Sequence, residues 1–249
     1  MPKIIIFPEK TEIVDGKERV ILKQRKNYSE EDKGKYDTTY GQVDLSKKEG
    51  VVNGKKYYVM PASFSDEWKR LRRGAQIITQ KDIGAIISQT GIGKESIVGE
   101  AGTGSGALAC ALANVCKKVY SYDVDEKAID LGKQNACTLK LDNIKFTLQD
   151  VKTKHPEKNV DVFILDMKNS WEALKMTVPY VRIGGYIVSY NSSMPAVSEF
   201  VNTCRKRDDV LLVKTIEVMQ REWNIKDFTA RPRDVVQHTG FLTFARRIK

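Results

Sequence analysis

The stretch SIVGEAGTGSGALACAL, residues 96–112, decides the fold. It opens on the apolar Ile97 and Val98, passes an acid at Glu100, crosses Gly102, Gly104 and Gly106, and enters a run of helical character. A strand that turns into a helix through glycines lets backbone approach a ligand closely, because glycine takes conformations closed to residues with a Cβ. The loop is therefore expected to line a nucleotide cofactor. Its spacing also satisfies G-x-G-x-x-A, so the glycines alone do not choose between a dinucleotide and S-adenosylmethionine.

Downstream, apolar segments alternate with helical ones. KVYSYDVD leads to a helix over 126–139, IKFTLQD to a short connection, VDVFILD to a helix around 171–179, and GGYIVSY to a helix around 195–206. Such alternation predicts a parallel sheet covered on both faces. VLLVKTIEVMQREWNI and GFLTFARRI lack a helix between them and are expected to form an antiparallel strand pair, joined by a loop holding Arg231, Pro232 and His238.

Upstream, the chain to about Met60 has all-β character. EGVVNGKKYYVM places strand-like runs around Asn53 and Gly54, a pair suited to a type I′ hairpin, while NYSEEDKGKYD is expected to be a solvated loop. SFSDEWKRLRRG predicts a helix capped by Ser65, and AQIITQKDIGAIISQTG a helix with Ile83, Ile86 and Ile87 on its buried stripe, ending near Gly91. The expected division is a small β domain over 1–64 and an α/β domain over 65–249.

The chain has 249 residues, long enough for one large domain or a domain with a small appendage. No stretch is long and apolar enough to span a bilayer and MPKIIIFPEK is not a signal peptide, so a cytoplasmic protein is expected. Cys110, Cys116, Cys137 and Cys204 make no C-x-x-C pair and the two histidines, His155 and His238, lie far apart. Neither metal nor disulfides are expected; the thiols read as buried and reduced. Forty-two Lys and Arg against 32 Asp and Glu leave a charge of +10, which favours a polyanionic partner such as nucleic acid.

Three features favour S-adenosylmethionine as the cofactor. Glu100 sets a carboxylate where a pyrophosphate would be repelled and a cation welcomed. Asp123 ends the second strand, where a carboxylate accepts from both ribose hydroxyls, and Asp150 ends the third, within reach of the adenine amino group. Taken singly, each acid reads equally well as a helix cap; together they mark the carboxyl ends of successive strands, the edge at which such sheets bind ligands. The terminal antiparallel pair is the third feature, since it is characteristic of Rossmann-like class I methyltransferases. Asp166 ends the fourth strand in FILDMKNSW and Tyr190 the fifth in GGYIVSY, so these two are expected to flank the methyl acceptor.

At this point the chain resembles the tRNA (adenine-N1)-methyltransferases, archaeal type, which modify the T-loop adenine numbered 58 and in some archaea its neighbour 57. The likeness rests on YGQVDL, YYVMPASFSD, RRGAQIITQKD, EAGTGSGAL, LDMKNSW, IGGYIVSY and RPRDVVQHTGFLTFARR, and so covers nearly the whole chain. The resemblance implies a mostly parallel seven-stranded sheet beside a small N-terminal β domain, and a homotetramer acting on tRNA. It implies that Gln76 and the loop of Gly102, Thr103, Gly104, Ser105 and Gly106 contact the methionine part of S-adenosylmethionine, with Glu100 and Asp166 beside them. Asp123 would hold the ribose, Asp150 and Val151 the adenine, and Asp166 and Tyr190 would be catalytic. His238, in the terminal HTG motif, would help line the acceptor pocket.

Charge adds candidate phosphate contacts at Lys69, Arg70, Arg72, Arg73, Arg231, Arg233, Arg246 and Arg247, each of which reads at least as well as a solvated surface charge. Trp68, Trp171 and Trp223 read as packing residues. Two prolines of the family pattern are missing, at Gln80 and after Asp166, which leaves the loops beside the cofactor and acceptor less restricted. In the expected reaction adenine N1 attacks the sulfonium methyl with its in-plane lone pair. Asp166 orients the base through N6, and the base is flipped from its stack. A methyltransferase of isoaspartyl type or for another RNA base, and a tRNA-binding subunit without activity, are the alternatives.

Overall fold

The computed structural model describes residues 1–15, 17–74, 77–154, 156, 159–226, 229–233 and 238–249. Two compact units, Met1–Arg70 and Leu71–Lys249, divide the chain six residues beyond the boundary expected from the sequence.

The first unit holds β1 (Lys3–Phe7), β2 (Lys10–Val14), β3 (Lys17–Leu22), β4 (Arg25–Ser29), β5 (Lys35–Thr38), β6 (Gly41–Asp44), β7 (Glu49–Val52), β8 (Lys55–Pro61) and α1 (Phe64–Trp68). Strands β4, β1, β8 and β7 form an antiparallel sheet, in that order. Ile5, Phe7, Val43, Leu45, Tyr57 and Val59 build its core. Asn53 and Gly54 adopt φ of 46° and 73°, the paired positive values of a type I′ turn, so β7 and β8 form the hairpin read from the sequence.

Two expectations for this unit need correction. The charged stretch from Asn27 to Asp37 is a solvated loop only over 30–34; its ends are strand, because β4 turns Ser29 inward and pairs with β1 while β5 pairs with β6. Helix α1 is capped by Ser63, not Ser65: the Ser63 hydroxyl accepts from the Asp66 N–H and the Asp66 carboxylate accepts from the Ser63 N–H, a reciprocal capping box.

The second unit holds α2 (Gln80–Thr90), β9 (Ile97–Ala101), α3 (Ala107–Ala113), β10 (Lys118–Asp123), α4 (Glu126–Thr138), β11 (Ile144–Leu148) and β12 (Val160–Leu165). It continues with α5 (Leu174–Thr177), β13 (Val181–Asn191), α6 (Met194–Arg205), β14 (Val210–Glu217), β15 (Trp223–Lys226), β16 (Thr229–Pro232) and β17 (Phe241–Arg247). Seven strands form one sheet in the order β11, β10, β9, β12, β13, β17, β14. Only β17 runs against its neighbours, inserted between β13 and β14. Val160, Phe163, Leu165, Ile187, Phe200 and Ala245 are fully buried in its core.

The helix expected around 171–179 is a single α turn between 3-10 segments at Ser170–Ala173 and Val178–Tyr180, shaped in part by Pro179. The connection from β14 to β17 is also more than a loop, since β15 and β16 form an antiparallel ribbon of their own. Helix α2 ends on Gly91 at φ 72°, the left-handed cap read from the sequence.

Candidate active site

Register brings the candidate acids together. Leu165 pairs with both Ala101 and Ser189, and Ala101 with Tyr122, so the next residues, Asp166, Gly102, Tyr190 and Asp123, share one level at the carboxyl edge of the sheet. The glycine loop begins there. Gly102 sits at φ 98°, and a Cβ on it would stand 1.8 Å from the Asp166 carbonyl oxygen, so only glycine permits the two strand ends to approach this closely. The Gly104 N–H donates to Asp123 Oδ2 at 3.0 Å and the Asp125 N–H to Asp123 Oδ1 at 3.0 Å, fixing that carboxylate beside the loop.

Glu100 lies deeper than the other acids. It is fully buried beneath the loop, where the Ser121 hydroxyl donates to Oε1 at 2.5 Å and Thr103 Oγ1 lies 2.6 Å from the same Ser121 oxygen. It acts on the loop from below and does not line the cleft. Burial pushes Glu100 up to about 8 against the pull of the Ser121 hydroxyl, with the charges of Asp166 and Asp123 adding to the rise. Burial, and then Asp123, pushes Asp166 up to about 7.

Asp150 lies two residues beyond β11 and does not end it; its carboxylate accepts from the Lys152 N–H at 2.8 Å. The Val151 side chain is core, 2% exposed. Gln76 lies outside the described residues, as does His155. Among the described residues no group of His, Cys, Asp and Glu is arranged to hold a metal. Cys137 is exposed, while the other three thiols are buried.

A cleft of about 570 Å³ opens beside this edge, lined by Asp166, Met167, Trp171, Tyr190, Ser192 and Thr239 among others. Trp171, read as packing alone, both packs on the core and lines the cleft. The loop after Asp166 is pinned without a proline. Asn169 takes φ 56°, its Nδ2 donates to Glu172 at 3.0 Å, and Ser170 Oγ lies 2.7 Å from Ser189 Oγ beneath it. Gln80 is the first residue of α2 and follows an extended Thr79, so the other missing proline would have occupied a helix start, where its absence costs little.

His238 serves as a strap. Its Nδ1 lies 2.6 Å from Glu217 Oε1 and its Nε2 3.0 Å from the Ser192 carbonyl oxygen, two acceptors that together require a doubly protonated ring. Its pKa is accordingly raised, first by the bond to Glu217. Arg72 is exposed, with its guanidinium 3.4 Å from Gln134 Oε1; Arg73 and Arg231 are exposed, the latter on the β15–β16 ribbon. Arg246 and Arg247 fall at the opposite sheet edge, bonded to the carbonyls of Gly184, Pro179 and Val181, and are not near this site. Missed by sequence reading were Lys81, Asp82 and Thr239, a hydrogen-bonded cluster joined to Tyr190.

The loop's own atoms test its fit to a cationic cofactor. Among the described residues, three buried side-chain atoms lack a hydrogen-bond partner, and two of them, Glu100 Oε2 and Ser105 Oγ, belong to this loop and the strand beneath it. Asp123 and Asp166 stand close enough that the charge of Asp123 raises the pKa of Asp166, and a sulfonium or ammonium group placed beside them relieves that repulsion where a pyrophosphate would add to it. S-adenosylmethionine fits.

The chain matches the family described as the tRNA methyltransferase complex GCD14 subunit over residues 66–237. It is 29% identical over 250 residues to the tRNA (adenine(57)-N(1)/adenine(58)-N(1))-methyltransferase TrmI of Methanocaldococcus jannaschii, covering 85% of this chain and 88% of that one. Among solved structures it is similar to the tRNA (m1A58) methyltransferase TrmI of Aquifex aeolicus, at 22% identity and a TM-score of 0.78 over 99% of this chain and 97% of that one. A SAM-dependent O-methyltransferase from Thermotoga maritima reaches a TM-score of 0.79 at 21% identity, covering 99% and 93%. The fold is thus that of class I methyltransferases, and by itself it does not choose nitrogen or oxygen as acceptor.

Proposed function

Because the chain belongs to the tRNA methyltransferase complex GCD14 subunit family, we propose that it methylates N1 of the T-loop adenine 58 of tRNA, using S-adenosylmethionine. The observation that carries this reading is the single row of Asp123, Asp166 and Tyr190 at one sheet edge, beside a cleft large enough for a purine. When bound, S-adenosylmethionine supplies a methyl group on a positively charged sulfur. The loop from Gly102 to Gly106 cradles its methionine part, Asp123 accepts from its ribose hydroxyls, and Asp150 receives its adenine amino group.

On the acceptor side, Asp166 accepts a hydrogen bond from adenine N6 and turns the N1 lone pair toward the methyl group. N1 carries no proton to lose, so Asp166 has no base to perform. Its charge, placed in advance where the product base becomes cationic, stabilises that change. Tyr190 and Trp171 supply ring surface for a base that has left its stack. His238 fixes the rim through Ser192 and Glu217, and Arg72, Arg73 and Arg231 contact phosphates.

The chain works in the cytoplasm, as a tetramer. The exposed β2–β3 and β15–β16 ribbons support self-association, since two-stranded ribbons with Ile13 and Ile225 uncovered are marginal alone. Sedimentation equilibrium is expected to give four times the 28.2 kDa chain mass; a monomer at micromolar concentration removes this assignment.

The test of function is nucleoside mass spectrometry of unmodified tRNA incubated with the protein and S-adenosylmethionine, with the product mapped to position. 1-Methyladenosine at position 58 is expected, and the same map shows whether adenine 57 is also modified, as the name of the Methanocaldococcus relative states for that enzyme. Methyl transfer to peptide carboxylates with none to tRNA overturns the proposal.

A further inference from the structure

Helix α2 begins with a buried ion pair that the reaction as written does not use. Asp82 is fully buried and the Lys81 side chain is only 12% exposed. Lys81 Nζ donates to Asp82 Oδ1 at 2.8 Å and to Thr239 Oγ1 at 2.7 Å. Asp82 Oδ2 accepts from Thr79 Oγ1 at 2.7 Å and from Thr239 Oγ1 at 2.9 Å. The Thr239 hydroxyl therefore gives its one proton to the carboxylate and receives one from the ammonium, acting as donor and acceptor at once.

The other side of residue 239 faces the acceptor cleft. The Tyr190 hydroxyl donates to the Thr239 carbonyl at 2.7 Å, and Tyr190, Thr239 and Asp166 all line the cleft. Gly240 is required by the same contact, since a Cβ there would meet three Tyr190 atoms, including the hydroxyl oxygen, at 2.5 to 2.7 Å. Burying an ion pair in place of aliphatic side chains is a poor route to stability, and its best-attested use is to fix a geometry. Here the geometry fixed is that of residue 239, and with it the tyrosine.

We propose that Lys81 and Asp82, acting through the Thr239 hydroxyl, are positioning residues that hold Tyr190 as the fixed wall of the acceptor cleft. The inference rests on the reading of that cleft as the base pocket. It also assigns the tyrosine its role: the hydroxyl is committed to a backbone carbonyl, and the residue offers the base its ring and its position.

The test compares Thr239→Val, which removes both hydroxyl bonds with little change of shape, with Thr239→Ser, which keeps them. Thr239→Val is expected to lower kcat for tRNA by roughly 10- to 100-fold, the scale of a misplaced reacting group, with S-adenosylmethionine affinity unchanged within about twofold. Thr239→Ser is expected to recover activity to within about threefold, and Thr239→Val in a Tyr190→Phe background to add less than about threefold further loss. If Thr239→Val does not fold, Asp82→Asn replaces it in the same cycle.

An activity-independent readout is the ¹⁹F resonance of 3-fluorotyrosine installed at position 190, expected as one line in the parent and shifted or split in Thr239→Val. A parent protein that leaves tRNA unmethylated defeats the proposed function while the ¹⁹F comparison still judges the network. Full activity with an unmoved resonance in Thr239→Val, additive losses in the cycle, or a serine variant no better than valine overturns the positioning role.

Discussion

At the scale of single residues the site turns on carboxylates with different tasks. Asp166 lines the cleft and Asp123 is held by the glycine loop, while Glu100 is fully buried on the strand between theirs, near enough that both charges raise its pKa. The proposed mechanism needs Asp166 charged, and burial, with the charge of Asp123, pushes it up to about 7 in the free protein. kcat/KM for tRNA is therefore expected to fall tenfold per unit below about pH 7, the limb reporting free enzyme. The limb in kcat should lie lower, because a cation bound beside the carboxylate favours its ionised form. Asp166→Ala should cut kcat by on the order of a hundredfold or more, as deletions of comparable electrostatic groups do, with S-adenosylmethionine still bound in calorimetry. An alanine variant with full turnover removes Asp166 from this role. The sequence made Asp166 and Asp123 legible because each follows an apolar run at a strand end. The depth of Glu100 was not legible, because a strand's last residues alternate between faces and the motif does not say which face the acid takes.

Among the elements, what was legible followed from strong local rules. The Asn53–Gly54 turn, the Gly91 cap and the alternation of strands and helices all rest on backbone chemistry that acts within a few residues. Illegible parts depend on partners distant in sequence. The strand β4 exists because β1 pairs with it, and nothing in the charged run itself says so. The Lys81, Asp82 and Thr239 cluster spans 158 positions, beyond the reach of any spacing rule. The loop after Asp166 is a further case, since it is braced without the proline that the family pattern often has there. Ser170 lies against Ser189 at 2.7 Å, and Asn191 Nδ2 donates to Ser189 at 2.7 Å, a small buried polar network bracing the segment from β13. Ser170→Ala leaves part of that network unsatisfied. It is expected to cost about 1–3 kcal/mol in urea unfolding and to lower kcat more than it weakens cofactor binding. A variant as stable as the parent would assign the bracing to other contacts.

For the whole molecule, charge runs in opposite senses at two ranges. The chain carries +10, which favours polyanions, while the carboxyl edge of the sheet gathers Glu100, Asp123 and Asp166 within range of one another's charge. That gathering has a consequence for stability. Glu100 near 8 and Asp166 near 7 hold protons in the folded chain that the unfolded chain, with ordinary carboxyl values near 4, has already released. Where the folded state binds more protons, stability falls as pH rises. Their contribution is thus fully present below about pH 4 and is lost progressively up to about pH 8, the reverse of a salt-bridged carboxylate. The thermal midpoint of the ligand-free protein should decline between pH 5.5 and 8.5, and Glu100→Gln, which keeps the shape and cannot ionise, should flatten the decline. S-adenosylmethionine should flatten it as well, and more than neutral-sulfur S-adenosylhomocysteine, since only the former brings a sulfonium to the carboxylates. A midpoint that rises over this range in the parent, or an identical slope in Glu100→Gln, would show that the buried acids do not set the pH response of the fold.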